Sequence, residues 1–526
     1  MRFWRKNGHR VLVVGIFQSL GAGRAVLQNL HRARFRRAAA IHASAKGRQR
    51  VEEHGISVIA GSTAASVLGL ALGAFIFWQH GMLADYRPVG LVLPFAAFAL
   101  AGAITGWILI QLLREHVDSE SFARFTNTIL PNETVVLAEV GASESSRVLA
   151  ILRGVEAEAP VTFGFYPPPP FSIESTARPL SHELSSSQRL VEKAASLAHA
   201  IGVSRTAKPR GPSFLHRLLE IENALEWANM SLTTSAEAHH AFTLSAEWLL
   251  DNAYLIREQV ADLRKSLPQK YYGKLPLIAS GPGAGLPRVY QVAAEMVTET
   301  DGALEPEIIR RFLSAFQAIT PLDIGELWAL PLMLRLQLLE CLRTLAIQVD
   351  QQQRESEEAD FWANRLIAAA RHSSPRLLKI MEELVERYPE PTPHFASELV
   401  AHLYDDEGAL PVVSGWLERS LRSPLLEVMQ QEHRHQAVQQ TALTNAINSC
   451  RRLAQIQWRE LFQSTSWADS ELAADPAGVY ARMDFETRDR CRSAVEEIAR
   501  WSNCSEQKTI WRRPRRMRSH DTSAII

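Results

Sequence analysis

The stretch TPLDIGELWALPLMLRLQLLECLRTLAIQV, residues 320–349, decides the fold of most of the chain. It suits a helix start, because Thr320 can cap free N–H groups, Pro321 fits the first helical position and Asp323 adds an acid three residues after the cap. The apolar run that follows is long enough to cross a bilayer, but three charges interrupt it, and each costs about 2.5 kcal/mol or more at mid-bilayer. The interrupting charges are Arg335, Glu340 and Arg343. We therefore predict a buried helix of a soluble region, kinked at Pro331.

Helical periodicity dominates the chain on both sides of this stretch. Apolar side chains within residues 248–267 trace one helical face, with charged side chains off that face. Ser374-Pro375 and Thr392-Pro393 repeat the pattern of a cap followed by a proline, and a longer helix is expected from about residue 424 to residue 462. We predict an all-α region over residues 186–505, arranged as stacked helices or a bundle. A Pro/Ser-rich linker over residues 167–185 precedes it.

Two uncharged apolar runs, residues 56–79 and residues 89–113, indicate a membrane segment. At about 1.5 Å per residue each is long enough to cross a hydrocarbon core of about 30 Å. Only residues 80–88 separate them, which favours an antiparallel transmembrane hairpin. Arginines and lysines concentrate before the first run, so we expect a bacterial inner-membrane protein with both termini in the cytoplasm and the lipid bilayer as a partner. The alternative is that both runs are buried core helices of a soluble protein.

Small residues recur at every fourth position within these runs. They are Gly61, Ala65, Gly69 and Gly73 in the first run and Gly102 and Gly106 in the second. Small side chains on one stripe let helix backbones approach closely in lipid. The stripe is expected to pack the two helices on each other, and it could also drive self-association of the chain.

Segments on both sides of the hairpin alternate between strand-like and helical patterns. Strands are expected at residues 11–17, 38–45, 134–141 and 161–166, and helices at residues 20–35, 122–130 and 145–154. We predict a small α+β domain made of residues 1–55 and 114–166. The predicted fold class is thus an α+β N-terminal domain interrupted by a transmembrane helical hairpin and followed by an all-α region.

This N-terminal arrangement resembles a bacterial general-stress-protein family over residues 10–166. The resemblance rests on VLVVGIF (residues 11–17), the glycine-rich apolar insert, ETVVLAEV (residues 133–140) and SSRVLAILR (residues 145–153). That family implies no catalytic residues. The sequence between the first strand and helix, Gly21-Ala22-Gly23, has Val26 where a dinucleotide-binding loop needs its third glycine, so no nucleotide site is expected.

Five motifs of the helical region resemble the part of cyclic β-1,2-glucan synthases that precedes the glucosyltransferase module. They are EWLLDNAYLIREQ (247–259), LPQKYY (267–272), GLPRVY (285–290), TPLDIGELWALPLMLR (320–335) and DPAGVYARMDFETRDR (475–490). The resemblance implies an inner-membrane enzyme that uses UDP-glucose and a divalent metal to build a protein-linked β-1,2-glucan, which is then cyclised. Motif residues without an assigned role are Trp248, Asp251, Asn252, Arg288, Tyr290, Glu326, Trp328, Arg335, Asp475, Tyr480 and Asp484.

The roles of some motif residues can be anticipated from their residue types. Trp248 and Trp328 are expected in the core. Polar residues among apolar neighbours are expected in buried hydrogen-bonded networks, or in contacts with a glucosyltransferase module. This second group comprises Asp251, Asn252, Arg288 and Arg335.

The side chains that glucosyl transfer requires are missing from the sequence. Such a transferase needs spaced aspartates for the metal and diphosphate and a carboxylate base for the acceptor hydroxyl. Asp405-Asp406 lacks the one-residue spacing, and His433 and His435 do not share a helical face. The four cysteines form no C-x-x-C pair and are expected to be reduced thiols. We expect no catalytic residue, metal or cofactor in this chain.

Charge and the C-terminal end complete the sequence evidence. Lys+Arg and Asp+Glu are both 57, so no net field draws the chain to nucleic acid. Residues 506–526 form a basic tail that departs from the glucan synthase pattern, and we interpret this as a frameshift or a premature stop. We predict a membrane-anchored N-terminal portion of a cyclic β-1,2-glucan synthase that is non-catalytic alone and serves a downstream glucosyltransferase module as anchor and scaffold. The alternative is an independent membrane-anchored stress or interaction protein.

Overall fold

A computed structural model describes most of the chain outside the apolar runs. The described residues are 10–35, 37–43, 49–53, 133–155, 157–164, 187–204, 213–237, 242–267, 275–280, 283–372, 374–474, 478–502 and 505–511. The chain divides into two compact units. The first comprises residues 1–166, 234–240 and 355–425, and the second comprises residues 167–233, 241–354 and 426–526. The predicted domain boundaries remain predictions.

Helices make up most of the described chain. The helices are α1 (Leu20–Arg32), α2 (Ser145–Arg153), α3 (Ser187–Ala200), α4 (Phe214–Glu237), α5 (Leu244–Asp251), α6 (Ala253–Ser266), α7 (Arg288–Glu299), α8 (Pro306–Gln317), α9 (Ile324–His372), α10 (Ser374–Arg387), α11 (Pro393–Leu403), α12 (Leu410–Leu421), α13 (Leu425–Leu453), α14 (Trp458–Thr465), α15 (Trp467–Ala473), α16 (Val479–Arg482), α17 (Phe485–Trp501) and α18 (Glu506–Trp511).

Five strands of the first unit form an antiparallel sheet. They are β1 (Arg10–Phe17), β2 (Ala38–Ala43), β3 (Gln49–Glu53), β4 (Thr134–Gly141) and β5 (Glu158–Gly164), in the order β3-β2-β4-β1-β5. Strands β1 and β2 lie on opposite sides of β4, and each runs antiparallel to it. β1 and β2 are therefore parallel to each other with β4 between them, which is a split β-α-β arrangement.

Helices α1 and α2 cover one face of this sheet. Val26 and Leu30 of α1 and Val148 of α2 are buried in one cluster with Val13 and Val136 of the sheet. Because side chains alternate between the faces of a strand, Leu12 and its neighbours Val14 and Ile16 point the other way, and they are also buried. Both faces of the sheet are therefore covered, which explains why its central strands read as continuous apolar runs.

Part of the helical region belongs to the same unit as the sheet. Phe163 of β5 contacts Phe361 of α9, with 5.5 Å between ring centroids. Glu133, beside β4, accepts hydrogen bonds from Arg365 at 2.9 Å and Arg376 at 3.0 Å. Arg365 also donates to Glu383 at 2.7 Å, and only 1% of its side chain is exposed. This buried charge network fixes the helices of residues 355–425 to the sheet.

The second unit is organised around the first part of α9. Apolar residues at every fourth position along α9 are fully buried, and residues of α7, α8 and α13 belong to the same core cluster. The buried residues of α9 include Leu330, Leu334, Leu338 and Leu342. Pro331 lies inside the helix, as predicted, within its first turns. The prediction of a buried helix from residue 326 to residue 349 is confirmed, although α9 begins at Ile324 and continues to His372.

The predicted fold class is wrong as a whole. The described chain is mostly helical with a small antiparallel sheet, and no helix within it is both long and apolar enough to cross a membrane. The transmembrane hairpin is therefore not supported. Residues 56–79 and 89–113, which were assigned to it, lie outside the described residues. The region predicted as all-α also contains two short strands, β6 (Val203–Ser204) and β7 (Leu277–Ile278), which are too short to show a period.

Several predicted element boundaries also change. The predicted long helix of residues 424–462 is two helices, α13 and α14, separated by residues 454–457. Residues 506–511, predicted as part of a structureless tail, form helix α18. The Thr392 cap is confirmed, since its hydroxyl accepts a hydrogen bond from the Phe395 N–H at 3.1 Å and Pro393 is the first helical residue. Gly23 has a packing role, because a Cβ there would collide with the Thr134 side chain.

Candidate functional site

The start of α9 is the place where several motif residues meet. The helix begins at Ile324, three residues later than the capping pattern at Thr320 had indicated. Asp323 is the preceding residue, and its N–H donates to Oε2 of Glu326 at 2.9 Å. The N–H of Glu326 in turn donates to the carbonyl of Asp323 at 3.0 Å. A Glu three residues into a helix start satisfies N–H groups that the helix itself leaves without acceptors.

Arg288 joins the start of α7 to this position. Its Nε donates to Oε1 of Glu326 at 3.0 Å, and one Nη donates both to Oε2 of Glu326 and to the carbonyl of Pro321, the latter at 3.0 Å. The side chains of Arg288 and Glu326 are 3% and 0% exposed. Burial alone would lower the pKa of Arg288, but the Glu326 carboxylate outweighs it and raises that pKa. The guanidinium therefore stays charged and engaged.

Glu506 of α18 caps the N-terminal end of α9. Its Oε2 accepts a hydrogen bond from the Ile324 N–H at 2.9 Å, and the residue is 4% exposed. Burial, together with the nearby Asp323 carboxylate, raises the pKa of Glu506 to about 8. A protonated or partly protonated carboxyl thus sits where the helix dipole would favour an anion. Three acidic side chains, Asp323, Glu326 and Glu506, therefore lie close together at the start of α9.

A second buried polar group lies in helices α15 to α17. Asp469 accepts hydrogen bonds from Tyr480 Oη at 2.6 Å and from Arg492 at 2.8 Å. Burial, reinforced by the Asp469 carboxylate, raises the pKa of Tyr480 above its ordinary value, so the phenol remains a donor. Asp484 caps the N-terminal end of α17, because its carboxylate accepts from the Thr487 N–H at 2.7 Å, and this bond lowers its pKa.

Aromatic side chains connect this second group to α9. Phe485 lies between the guanidinium groups of Arg459 and Arg492, each 4.8 Å from its ring centroid. Trp328 of α9 meets Phe462 edge to face at 5.2 Å between centroids. These five side chains surround a small enclosed gap beside the start of α9. Trp328 was expected in the core, but 39% of it is exposed.

A larger cavity opens on the other side of the α9 start. It has a volume of about 430 Å³ and is lined by residues of β6, α7, α15 and α18 and of the segments just before α9 and α18. We name it the α9 cavity. Its lining residues are Val203, Arg288, Thr320, Pro321, Leu322, Asp323, Trp467, Ser505, Glu506 and Gln507.

The remaining motif residues are spread over the second unit. Tyr290 of α7 is buried, and its hydroxyl accepts a hydrogen bond from Arg217 at 3.3 Å. Burial raises the pKa of Tyr290. Asn252 is buried at the junction of α5 and α6, donates to the Trp248 carbonyl at 2.9 Å and accepts from Arg451 at 3.2 Å. Tyr290 and Asn252 therefore hold neighbouring helices together through hydrogen bonds.

Other motif residues lie nearer to solvent than the sequence had indicated. Asp251 is exposed, and Trp248, expected in the core, is 36% exposed. Arg335 is half-buried within α9, near Cys450. Burial raises the pKa values of Cys341 and Cys450 to about 12, so both remain thiols. Asp475 and the small residues of the predicted hairpin stripe lie outside the described residues.

The acidic side chains of this site are engaged by neighbouring groups. No group of three His, Cys, Asp or Glu side chains within the described ranges could hold a metal ion. Both carboxylate oxygens of Glu326 and one of Asp469 accept hydrogen bonds from nearby groups. Nucleotide diphosphate binding needs positive charge, but the guanidinium of Arg288 is already engaged by Glu326 and Pro321. UDP-glucose and a divalent metal do not fit these residues.

Sequence reasoning missed several members of this site. Four of them, Trp467, Asp469, Arg492 and Glu506, lie outside the five recognised motifs. Asp323 had been assigned to the first turn of the helix rather than to its cap. The spacing Asp323-x-x-Glu326 is itself a capping pattern and could have located the true start of α9.

Comparisons with known proteins relate the chain to glucan synthesis. No family model matches the chain. Over 300 residues, 56% of this chain, it is 30% identical to the cyclic β-(1,2)-glucan synthase NdvB of Rhizobium meliloti (strain 1021). Those residues are 10% of that protein, so the chain spans about a tenth of the length of its relative. The similarity supports a relation to the cyclic β-1,2-glucan synthases, whereas the resemblance to general-stress proteins remains a prediction.

Proposed function

We propose that this chain is a non-catalytic scaffold in cyclic β-1,2-glucan synthesis and that it supports a glucosyltransferase module. The observation that carries the proposal is its 30% identity to a cyclic β-(1,2)-glucan synthase over 300 residues. Motif residues from two separate segments, Arg288 of GLPRVY and Glu326 of TPLDIGELW, meet at the start of α9. Because buried contacts hold these motifs together, we infer that the motifs share a structural role.

The chemistry of the site supports a scaffold rather than a transferase. A catalytic base must have an oxygen free to accept the proton of the acceptor hydroxyl. Glu326 uses its carboxylate to bind Arg288 and the Asp323 N–H. Asp469 is buried, and one of its oxygens accepts hydrogen bonds from both Tyr480 and Arg492. These buried acids maintain helix positions, and removing them would affect folding before it affected any reaction.

The long helix α9 gives the proposed scaffold its rigidity. It runs for 49 residues, from Ile324 to His372, and its buried leucines anchor it in the core of the second unit. At about 1.5 Å per residue such a helix is about 70 Å long. The part of α9 that is buried in the second unit can hold an attached module at a fixed position on that unit. UDP-glucose and the divalent metal would then be bound by that module.

The proposed setting is the bacterial inner membrane, with both termini of the chain in the cytoplasm. This location is supported by the relation to cyclic β-1,2-glucan synthases. The resemblance to that family implies an inner-membrane enzyme. No helix in the described part of the chain is long and apolar enough to cross a membrane, so these helices do not support the membrane location. Separation of cell membranes from the cytosolic fraction, followed by detection of the tagged chain, tests it.

Co-purification tests the scaffold role. The tagged full chain is co-expressed with a cyclic β-1,2-glucan synthase from which the matching 300 residues have been deleted. We expect the shortened synthase to be recovered with the tagged chain, and to be lost when Arg288→Met disrupts the start of α9. Arg310→Met, which removes one half of an exposed ion pair, is the matched control. Recovery no higher than with an unrelated tagged membrane protein would contradict the proposal.

A further inference from the structure

We propose that the α9 cavity binds a neutral β-linked gluco-oligosaccharide. This inference rests on the proposed function and specifies a ligand for the scaffold. The cavity, about 430 Å³, is within the range of small-molecule binding sites, about 300–1,000 Å³. Its lining combines hydroxyl, carboxyl and amide groups with one large aromatic ring. Two of the motifs, GLPRVY and TPLDIGELW, supply half of its lining, although the sequence did not indicate a cavity there.

The charge of the lining disfavours phosphorylated ligands. Asp323 and Glu506 contribute carboxyl groups to the cavity, and Arg288 contributes a cation. The guanidinium of Arg288 already donates to Glu326 and to the Pro321 carbonyl, so its charge is compensated. Bringing a diphosphate next to the two carboxyl groups would cost electrostatic energy with no cation to offset it. A sugar nucleotide is therefore a poor occupant.

Cationic ligands also fit poorly. A metal ion would need at least three suitable side chains, and the described residues contain no such group. Burial and the Asp323 carboxylate raise the pKa of Glu506, so the carboxyl pair carries less than two full negative charges near neutral pH. A partly protonated pair offers both a donor and acceptors. Those are the groups that bind the hydroxyls of an uncharged ligand.

An aromatic ring and an amide complete a lining that suits a sugar. Trp467 is half-buried at the start of α15, and its ring supplies an apolar surface for the C–H face of a hexose. Gln507 of α18 adds an amide that can donate and accept at the same time. The hydroxyl of Thr320 lies on the same wall, although it already donates to the Ala198 carbonyl at 3.1 Å. The combination matches a polyhydroxylated ligand with no net charge.

Binding of linear β-1,2-gluco-oligosaccharides to the purified full chain tests the inference by titration calorimetry. We expect saturable binding that is weakened about tenfold by Trp467→Ala, as loss of one aromatic contact predicts. Gln507→Ala, at a half-buried position on the short helix α18, should weaken it as well and is less disruptive to folding. Trp248→Ala is the control, because it removes a tryptophan that lies outside the cavity.

The other outcomes decide against the inference. Absence of binding by the unmodified chain would overturn it, and so would undiminished binding by both Trp467→Ala and Gln507→Ala. Tighter binding of UDP-glucose than of the oligosaccharide would overturn the argument from charge. If the oligosaccharide does not bind but the shortened synthase still co-purifies with the chain, the cavity inference fails while the proposed function stands.

Discussion

Arg288 and Glu326 form a buried ion pair in which the Arg288 Nε and the Glu326 Oε1 are 3.0 Å apart. The pair connects the first residue of α7 with the first turn of α9, and neither side chain is more than 3% exposed. It therefore links two motifs, GLPRVY and TPLDIGELW, that lie 30 or more residues apart in sequence. Each motif supplies the opposite charge that allows the charged side chain of the other motif to be buried.

Removing one member of this pair should destabilise the second unit. Arg288→Met leaves the Glu326 carboxylate buried without its cation, and we expect a loss of about 3–5 kcal/mol in the free energy of unfolding. Urea denaturation followed by tryptophan fluorescence measures it. Arg310→Met, in a pair that is 49% exposed on both sides, should change that free energy by less than about 1 kcal/mol.

The double variant Arg288→Met, Glu326→Leu distinguishes a lost charge from lost packing. Replacing both charges with apolar side chains removes the unpaired carboxylate, so most of the lost stability should return. A double variant no more stable than Arg288→Met would mean that the bonds to the Pro321 carbonyl and the Asp323 N–H, rather than the charge pair, carry the stability.

Helix α18 should leave the start of α9 more readily at high pH. A glutamate free in solution titrates near its ordinary pKa of 4.5, whereas docking raises the pKa of Glu506 to about 8. The docked form therefore holds a proton that the undocked form releases, and docking weakens as pH rises from about 4.5 through about 8. Asp323, Glu326, Glu496 and Arg288 are the charged groups that influence Glu506.

Hydrogen exchange of residues 505–511 at several pH values, corrected for the intrinsic pH dependence of exchange, measures this effect. We expect protection to fall between about pH 5 and about pH 8 in the unmodified chain and to change little above that. Glu506→Gln cannot ionise and should show nearly constant protection over that range. A pH dependence that is the same in both proteins would contradict the role assigned to Glu506.

Two glycines should respond to alanine in opposite directions. Gly302 has a φ of +77°, and a Cβ there would lie 3.2 Å from the Ala446 nitrogen. Gly302→Ala should therefore cost about 1–3 kcal/mol of stability. Gly415 lies within α12, and a Cβ there would meet nothing within 4 Å. Gly415→Ala should stabilise the chain by about 0.5–1 kcal/mol. Thermal melting of the two variants measures both, and a destabilising Gly415→Ala would contradict the open surroundings.

Helices and strands whose own residues carry a clear local pattern were predicted correctly from the sequence. Strand β4 was placed correctly from its apolar run, and the cap at Thr392 from its proline. Strand β3 was missed, because QRVEE is polar and the strand lies at the edge of the sheet, where one side has no partner strand to bury it. The membrane hairpin relied on length and hydropathy alone, and the structure does not support it.

The candidate site depended on contacts between distant segments, which local patterns do not encode. Glu506 approaches Ile324 across 182 residues of sequence, and Asp469 meets Arg492 across 23. Neither pair has a spacing that a helical or strand period would reveal. The Arg288 guanidinium could be expected to need a partner because it is surrounded by apolar residues, but Glu326 becomes its partner only after α7 and α9 have packed together.

Glucan synthesis in trans tests the scaffold role most directly. Membranes that contain the shortened synthase, the chain, or both are supplied with labelled UDP-glucose and a divalent metal, and label in β-1,2-glucan is counted. We predict no incorporation above empty-vector membranes for the chain alone, and incorporation by the two proteins together well above that of the shortened synthase. Incorporation by the chain alone, or no gain when both are present, would contradict the account.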